Sequence, residues 1–487
     1  MIPCAGRQDL ALVATNTIPT VAFTTLGCPK NEVDTDLMRR AVEAAGYYTH
    51  ECTDLPAPNA PTDMANDSLN VANCSAGVDN GPDAIVVNTC SFIQEATEAS
   101  IEAIFDALGL DEERSRLPVI VAGCIVNRYA DDLTSEMPEV TALIKVGDTK
   151  ALVKALTDCL PAGASTPIVR TEGTVRSYEY LRIADGCDRR CTFCIIPSIR
   201  GAYTSRRPED ILTQARDLVA AGTYELIVIA QDIGRYGTDL DADTSANLVQ
   251  LLSQLAAIPE LKRLRLMYLQ PEGLTDELLQ TMAGYPNIVP YLEVPLQHIE
   301  PRILKTMGRN PRDVQNFETQ LAKARKLMPE LVIRTTLIAG FPGETDEEFA
   351  QLCNFVERAN LDYVGVFPYS PEEGTIAAKL PNQLDDIVRL ERAQQVRDLA
   401  DQIGWQRMAD RIGQQAEVLV EGYDSVENVL MARAAFQAPD IDGIVRVTPP
   451  EDRTTEDFFT AYKPNTYLMV EFTDVILYDL DAVIVSS

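Results

Sequence analysis

Gly186-Cys-Asp-Arg-Arg-Cys-Thr-Phe-Cys-Ile-Ile-Pro197 carries three thiols, Cys187, Cys191 and Cys194, spaced CxxxCxxC directly after a strand-like run over 180–184. Thiolates are soft ligands that suit iron–sulfur clusters or zinc. A structural zinc site closes its tetrahedron with a fourth Cys or His. None follows here: the next cysteine is Cys353, and the chain has two histidines, His50 and His298. Three cysteines suit a 4Fe-4S cluster that keeps one iron open for chemistry.

Downstream of this loop, apolar runs over 226–230, 264–268, 292–296, 332–339 and 364–368 continue the strand at 180–184. Helical periodicity over 208–221, 248–257, 275–283, 314–327 and 346–359 separates them. Six βα units predict an open (βα)6 barrel, with function at the carboxyl ends of its strands, where the cysteine loop lies.

Upstream, a pattern of strand, cysteine and helix repeats three times. Runs over 20–26, 84–88 and 119–122 lead into Gly27-Cys28, Thr89-Cys90 and Gly123-Cys124. Alternation of this kind predicts an α/β, Rossmann-like domain with a parallel sheet, whose ligands bind outside the carboxyl edge. A single buried cysteine is commonly core packing. Recurrence at one structural phase points instead to a second three-thiol site. Cys4, Cys52, Cys74, Cys159 and Cys353 have no partner spacing and read as structural or incidental.

Beyond a helix over 391–411, short strands over 416–421, 429–434, 443–447, 466–472 and 475–478 predict a small β-barrel of the oligonucleotide-binding kind. The expected organisation is α/β multidomain: an extension at 1–18, a three-cysteine domain at 19–165, the barrel at 173–404 and the small β-barrel at 407–487. A stretch rich in Pro, Asn, Asp and Gly, at about 55–82, reads as an insertion.

The 487 residues carry 73 acidic and 42 basic side chains, a net charge of −31. From residue 406 onward there are fifteen acidic against six basic ones. Such a surface repels nucleic-acid phosphate and favours a basic partner. A low cysteine density, organised in triplets, predicts reduced thiols and the cytoplasm. The first twenty residues include Asp9 and lack a basic start followed by an apolar core, so no signal peptide is expected. No membrane span is expected either.

CxxxCxxC after the first strand of a six-unit barrel resembles the radical S-adenosylmethionine (SAM) superfamily. The preceding three-cysteine domain and the trailing barrel, called TRAM, resemble its methylthiotransferases. Leu26-Gly-Cys-Pro-Lys-Asn31, Asn88-Thr-Cys-Ser-Phe-Ile93, Pro295-Leu-Gln-His298, Phe367-Pro-Tyr-Ser-Pro-Glu-Glu-Gly-Thr375 and Ile441-Asp-Gly-Ile444 are most similar to the branch that modifies ribosomal small-subunit protein twelve.

That resemblance implies two clusters and SAM as cosubstrate. Cys187, Cys191 and Cys194 would hold the 4Fe-4S cluster that binds and cleaves SAM, giving a radical that takes hydrogen from the β-carbon of an aspartate in the ribosomal protein. Cys28, Cys90 and Cys124 would hold a second 4Fe-4S cluster bearing the sulfur that becomes the methylthio group. Phe193, Gln231, Glu293, Arg334 and Gly340 are the expected SAM contacts, with Asp232, Gln297 and His298 further polar candidates at strand ends. The loop arginines Arg189, Arg190, Arg200, Arg206 and Arg207 would steer a flavodoxin- or ferredoxin-type electron donor. A monomer is expected, with no catalytic protein nucleophile. The rival readings are a tRNA adenosine 2-methylthiotransferase and a non-catalytic iron–sulfur scaffold.

Overall fold

A computed structural model describes residues 18–52, 81–109, 117–164, 166, 168, 176–241, 246–450 and 455–485. Residues 1–17 of the expected extension at 1–18, and most of the insertion, with Cys4 and Cys74, lie outside them. The chain divides into two compact units, Met1–Ser91 with Ala96–Thr171, and Phe92–Glu95 with Glu172–Ser487.

The first unit runs β1 (Thr20–Thr25), α1 (Pro29–Ala44), β2 (Tyr48–Glu51), β3 (Ala84–Thr89), α2 (Gln94–Gly109), β4 (Val119–Gly123), α3 (Cys124–Glu136), β5 (Ala142–Ile144) and α4 (Thr149–Cys159). Its parallel sheet has the order β2-β1-β3-β4-β5. The side-chain period of two sorts each strand between two cores. Val21, Phe23, Val86 and Ile120 pack with Met38 and Val42 of α1 and Leu152 and Leu156 of α4. Ala22, Ile85, Val87 and Val121 pack with Ile104 of α2 and Ile125 and Leu133 of α3. Burial on both faces explains why these strands read as unbroken apolar runs. The edge strands β2 and β5 are short, and the sequence reading missed both.

The second unit continues with β6 (Tyr178–Arg182), β7 (Ala184–Asp185), α5 (Ile196–Arg200), β8 (Thr204–Ser205), α6 (Pro208–Ala220), β9 (Glu225–Ile229), α7 (Leu248–Ala256), β10 (Arg263–Leu266), α8 (Asp276–Gly284) and β11 (Ile288–Glu293). Then come α9 (Pro301–Thr306), α10 (Pro311–Leu327), β12 (Val332–Ala339), α11 (Asp346–Ala359), β13 (Tyr363–Pro368) and α12 (Asp386–Ala409). Strands β6, β9, β10, β11, β12 and β13 are parallel neighbours in chain order, and the sheet does not close. This is the six-unit open barrel read from the sequence. The helices bury one stripe each; in α10 it is Val314, Phe317, Leu321 and Ala324.

A closed barrel of β14 (Gln415–Asp424), β15 (Val429–Ala434), β16 (Val445–Thr448), β17 (Tyr467–Ile476) and β18 (Asp479–Ile484) follows, with α13 (Thr455–Ala461) between β16 and β17. The strands expected over 466–472 and 475–478 are one, β17, with a register shift between Phe472 and Asp474. The last strand, β18, was missed. Its two-residue turn puts Leu477 at φ 55°, where hairpins ordinarily use Gly or Asn, so the turn left no sequence mark.

Charges lock this barrel over the amino-terminal ends of the open barrel's strands. Buried Glu225 meets Arg265 (2.6 Å) and Arg433 (2.8 Å). The guanidinium of Arg263 donates to the carbonyls of Arg433 and Glu417, and that of Arg265 to the carbonyl of Ala435. Buried ions are tolerated only when paired and hydrogen-bonded, as these are.

Candidate metal centres and active face

Three neighbouring strands deliver the first set of thiols. β1, β3 and β4 are adjacent and parallel, so Cys28, Cys90 and Cys124 leave one carboxyl edge, beside the switch point between β1 and β3. Gly27 and Gly123 make the turns, with φ of 102° and 98°. A Cβ on Gly27 would stand 2.6 Å from Cys90 Cβ, and one on Gly123 would stand 2.5 Å from Asn88 Oδ1. Only glycine tolerates both the dihedral and the approach. Cys28 caps α1 and Cys124 opens α3, so two of the three sulfurs lie at the positive end of a helix, where an anionic group is favoured. The Ser100 hydroxyl accepts from the Cys90 N–H (3.0 Å) and donates to the Cys90 carbonyl (2.7 Å).

The second set sits on one loop. Gly186, at φ 75°, would place a Cβ 2.1 Å from the Ala202 carbonyl oxygen. The Cys187 N–H donates to Gly201 O (3.0 Å) and the Cys194 N–H to Cys191 O (3.2 Å). Thr192 staples the loop at three points: its N–H donates to Met307 O, its hydroxyl to Thr306 O, and its carbonyl accepts from the Ala377 N–H. Arg309 donates to Cys191 Sγ (3.8 Å) and to Pro295 O (3.0 Å), joining the middle thiol to the segment after β11.

Burial pushes the Cys187 and Cys194 thiols up, Cys194 to about 12, and Cys191 beside them pushes in the same direction. Loading these buried thiols with metal must therefore expel protons. Among the described residues no three His, Cys, Asp or Glu side chains converge on a point that would hold a single ion. A 4Fe-4S cluster binds its cysteines on separate irons and needs no such point. Three soft donors on one loop, without a fourth Cys or His beside them in the sequence, fit that group.

Four of the five expected SAM contacts lie on the cysteine loop or at carboxyl ends of strands. Phe193 packs against Ile303, Met307, Phe341, Tyr369 and Ala377. Gln231, just past β9, donates to Asp185 Oδ1 (2.9 Å), while its Oε1 is buried and accepts nothing within the described structure. Asp185 also meets Arg182 and Arg200; burial pushes its carboxyl up, but the two guanidiniums outweigh that and hold it below the usual range. Glu293 ends β11 and accepts from the Tyr268 N–H (3.0 Å). Gly340 follows β12 at φ 76° and donates to the buried Glu344 carboxylate (3.1 Å), which also meets His298 (3.3 Å) and Arg392 (2.7 Å).

Arg334 departs from the expectation. It is the third residue of β12, toward the amino-terminal end, and pairs with Asp442 of the closed barrel at 2.5 Å. Tyr291 donates to the other oxygen of the same carboxylate (2.6 Å). Arg334 serves the contact between the two barrels, because its position along the strand points it to the wrong end.

The arginine cluster is also thinner than its sequence suggests. Arg189 pairs with Asp232 (2.6 Å) and Glu272, Arg200 with Asp185, and Arg206 donates to Arg182 O and Gln214. Arg190 and Arg207 are exposed.

Two residues that contact the thiols carried little or no sign in the sequence. Asn31 stands among the first three thiols, and its one signal was its place in the Leu26–Asn31 motif. Arg309 lies 118 residues from Cys191 and carried no local signal.

Residues 181–356 match the family model described as Radical SAM superfamily, 412–485 the TRAM domain, and 63–145 the family described as Uncharacterized protein family UPF0004. The chain is 38% identical to the protein named Ribosomal protein uS12 methylthiotransferase RimO of Synechococcus sp. (strain WH7803), over 100% of this chain and 96% of the relative. It is also 38% identical to the protein of that name from Trichlorobacter lovleyi, over 88% of this chain and 92% of the relative. The structure of the radical SAM methyltransferase TsrM from Kitasatospora setae has a similar fold, with a TM-score of 0.51 at 14% identity, covering 73% of this chain and 74% of that one.

Proposed function

The chain belongs to the family of ribosomal protein uS12 methylthiotransferases named RimO, and from that premise we infer that it transfers a methylthio group to the small-subunit ribosomal protein uS12. It is a SAM-dependent enzyme. The observation that carries the reading is the full-length match to relatives of that name. The acceptor we assign is the β-carbon of an aspartate.

Cys187, Cys191 and Cys194 would hold one 4Fe-4S cluster, and Cys28, Cys90 and Cys124 a second. Bound at the barrel loop, such a cluster supplies the electron that cleaves SAM. This chain's residues hold and orient the reactants. Gln231 Oε1 is an orphaned acceptor for a SAM donor, and leaving it unpaired is unfavourable by roughly 1–3 kcal/mol. Phe193, Phe341 and Tyr369 line the neighbouring apolar cluster. Glu293 and Gly340, at the ends of adjacent strands, complete the contacts we assign. His298 is buried between Glu344 and the Glu300 N–H, in keeping with a reaction that asks little general acid–base work.

The acidity of the chain suits a basic ribosomal protein better than tRNA. Arg190 and Arg207 are the loop cations we assign to docking an acidic electron donor of flavodoxin or ferredoxin type. Among the described residues no helix is long and apolar enough to cross a membrane. We place the enzyme in the cytoplasm, as a monomer, with domains at 19–165, 173–404 and 407–487 after an extension at 1–18.

The test is anaerobic reconstitution with iron, sulfide and SAM, followed by mass spectrometry of uS12 and tRNA incubated in parallel. A methylthio mass increase on an aspartate of uS12 is expected. The same increase on tRNA alone, or no SAM cleavage by the reduced protein, overturns the assignment.

A further inference from the structure

Asn31 has no role in the chemistry described above, yet its side chain meets the ends of β1 and β3 and two of the three thiols. It sits in the first turn of α1 and is 1% exposed. Its Nδ2 donates to Leu26 O (2.7 Å) and Thr89 O (3.0 Å). Those carbonyls lie just beyond β1 and at the last residue of β3, two and one residues before Cys28 and Cys90. Its Oδ1 accepts from Cys28 Sγ (3.9 Å) and Cys124 Sγ (3.8 Å). Asn88 Nδ2 in turn donates to the Asn31 carbonyl (2.8 Å) and to Thr35 Oγ1 (2.9 Å), fixing the turn that carries the amide. One amide thus spans the chain ends that deliver all three thiols.

Serving both roles at once takes an Asn. Two carbonyls demand two N–H donors, two thiols demand an acceptor, and a primary amide carries both on one short, rigid group. Ser has one donor, Asp has none when ionised, and Gln would carry the amide a methylene too far from this helix turn.

We propose that Asn31 is the positioning residue of the amino-terminal cluster site, setting the separation of Cys28, Cys90 and Cys124 so that the three thiols accept one 4Fe-4S unit. The proposal rests on the two-cluster reading. Strand pairing alone places the cysteines on one edge; the two N–H bonds to Leu26 O and Thr89 O, which persist when the thiols give up their protons, close the remaining freedom of the turns after the strands. Partners that orient metal ligands typically change metal affinity about 10- to 100-fold when removed.

The test uses the full chain in a Cys187→Ala/Cys191→Ala/Cys194→Ala background, which leaves the amino-terminal set alone. After anaerobic reconstitution with iron and sulfide, iron and sulfide per chain and the electron paramagnetic resonance spectrum of the reduced protein are measured. The background protein should hold one cluster. Asn31→Ala should bind iron about tenfold more weakly, with a broadened or altered spectrum. Val86→Ala is the matched control: it opens a cavity in the core under β3, away from Asn31 and the thiols, and should lower the melting temperature while keeping uptake and spectrum. Equal uptake and spectra for Asn31→Ala and the background would overturn the proposal. So would equal loss of uptake in Asn31→Ala and Val86→Ala at matched melting temperature, which would make the role merely structural. A background protein that takes up no cluster overturns the two-cluster reading, and this proposal with it.

Discussion

The barrel loop brings three thiols together within eight residues, whereas the amino-terminal edge gathers its three from positions 96 residues apart. On the loop, local backbone bonds and one glycine turn do most of the placing, and staples from α9 and the segment after β13 hold the result. On the edge the three thiols are brought together by long-range pairing. The thiols meet because β1, β3 and β4 pair in register, two glycines turn the chain, and Asn31 ties the ends. The contrast teaches that one ligand set is a property of a loop and the other of a sheet.

The largest expected effect follows from separating their tasks. Cys191→Ala should abolish both SAM cleavage and product. Cys90→Ala should leave cleavage of SAM to 5′-deoxyadenosine and methionine, read by chromatography, while methylthiolated uS12 disappears. Loss of cleavage in Cys90→Ala would break the division.

Backbone strain comes next. Gly123→Ala forces a Cβ against Asn88 Oδ1 (2.5 Å) and Thr89 O (2.6 Å) at φ 98°, in the middle of the sheet edge. Unfolding in urea should show roughly 3 kcal/mol of destabilisation. Gly201→Ala, beside the loop set, meets nothing within 4 Å and should lose less, about 2 kcal/mol, for backbone dihedrals (φ 77°, ψ −164°) that only glycine adopts readily.

A smaller effect tests the loop's long-range support. Arg309→Ala removes the contacts to Cys191 Sγ and Pro295 O. Iron affinity of the loop set should fall about tenfold, and that of the edge set should not move. Competition with a chelator in variants carrying one set each would measure both.

The smallest concerns acid. Burial pushes the Glu225 carboxyl up, but Arg265, Arg433 and Arg263 outweigh it and pull it to about 2, from an ordinary 4.5. A group held below its unfolded value stabilises the fold fully above that value, and the contribution is lost as pH falls toward the folded one. The second unit should therefore lose melting temperature between about pH 4.5 and 2, measured by scanning calorimetry. A flat profile there would show that the lock between open and closed barrels adds nothing.

The readable parts of this molecule were the periodic ones. Unbroken apolar runs marked β1, β3, β4 and the six barrel strands, and the Gly-Cys pairs at 27, 123 and 186 marked three of the turns. The short edge strands β2 and β5 and the Leu477 hairpin carried no such signature. Arg334 misled because a polar residue in a strand shows its face but not which ligand its end of the barrel meets. Arg189, Arg200 and Arg206 misled because a run of like charges looks the same whether solvated or paired across the fold.

By itself the sequence determined the two thiol triplets, their phase behind strands, the six βα units and the family likeness, since each is built from short local patterns, repeated along the chain. Only the tertiary structure decided that Asn31 bridges thiols and carbonyls up to 93 residues away, that Arg309 supports Cys191, and that Arg334 belongs to Asp442. The reason is that strand order and register are set by burial of whole faces. A hydrogen bond formed after that burial leaves no periodicity in the chain that makes it.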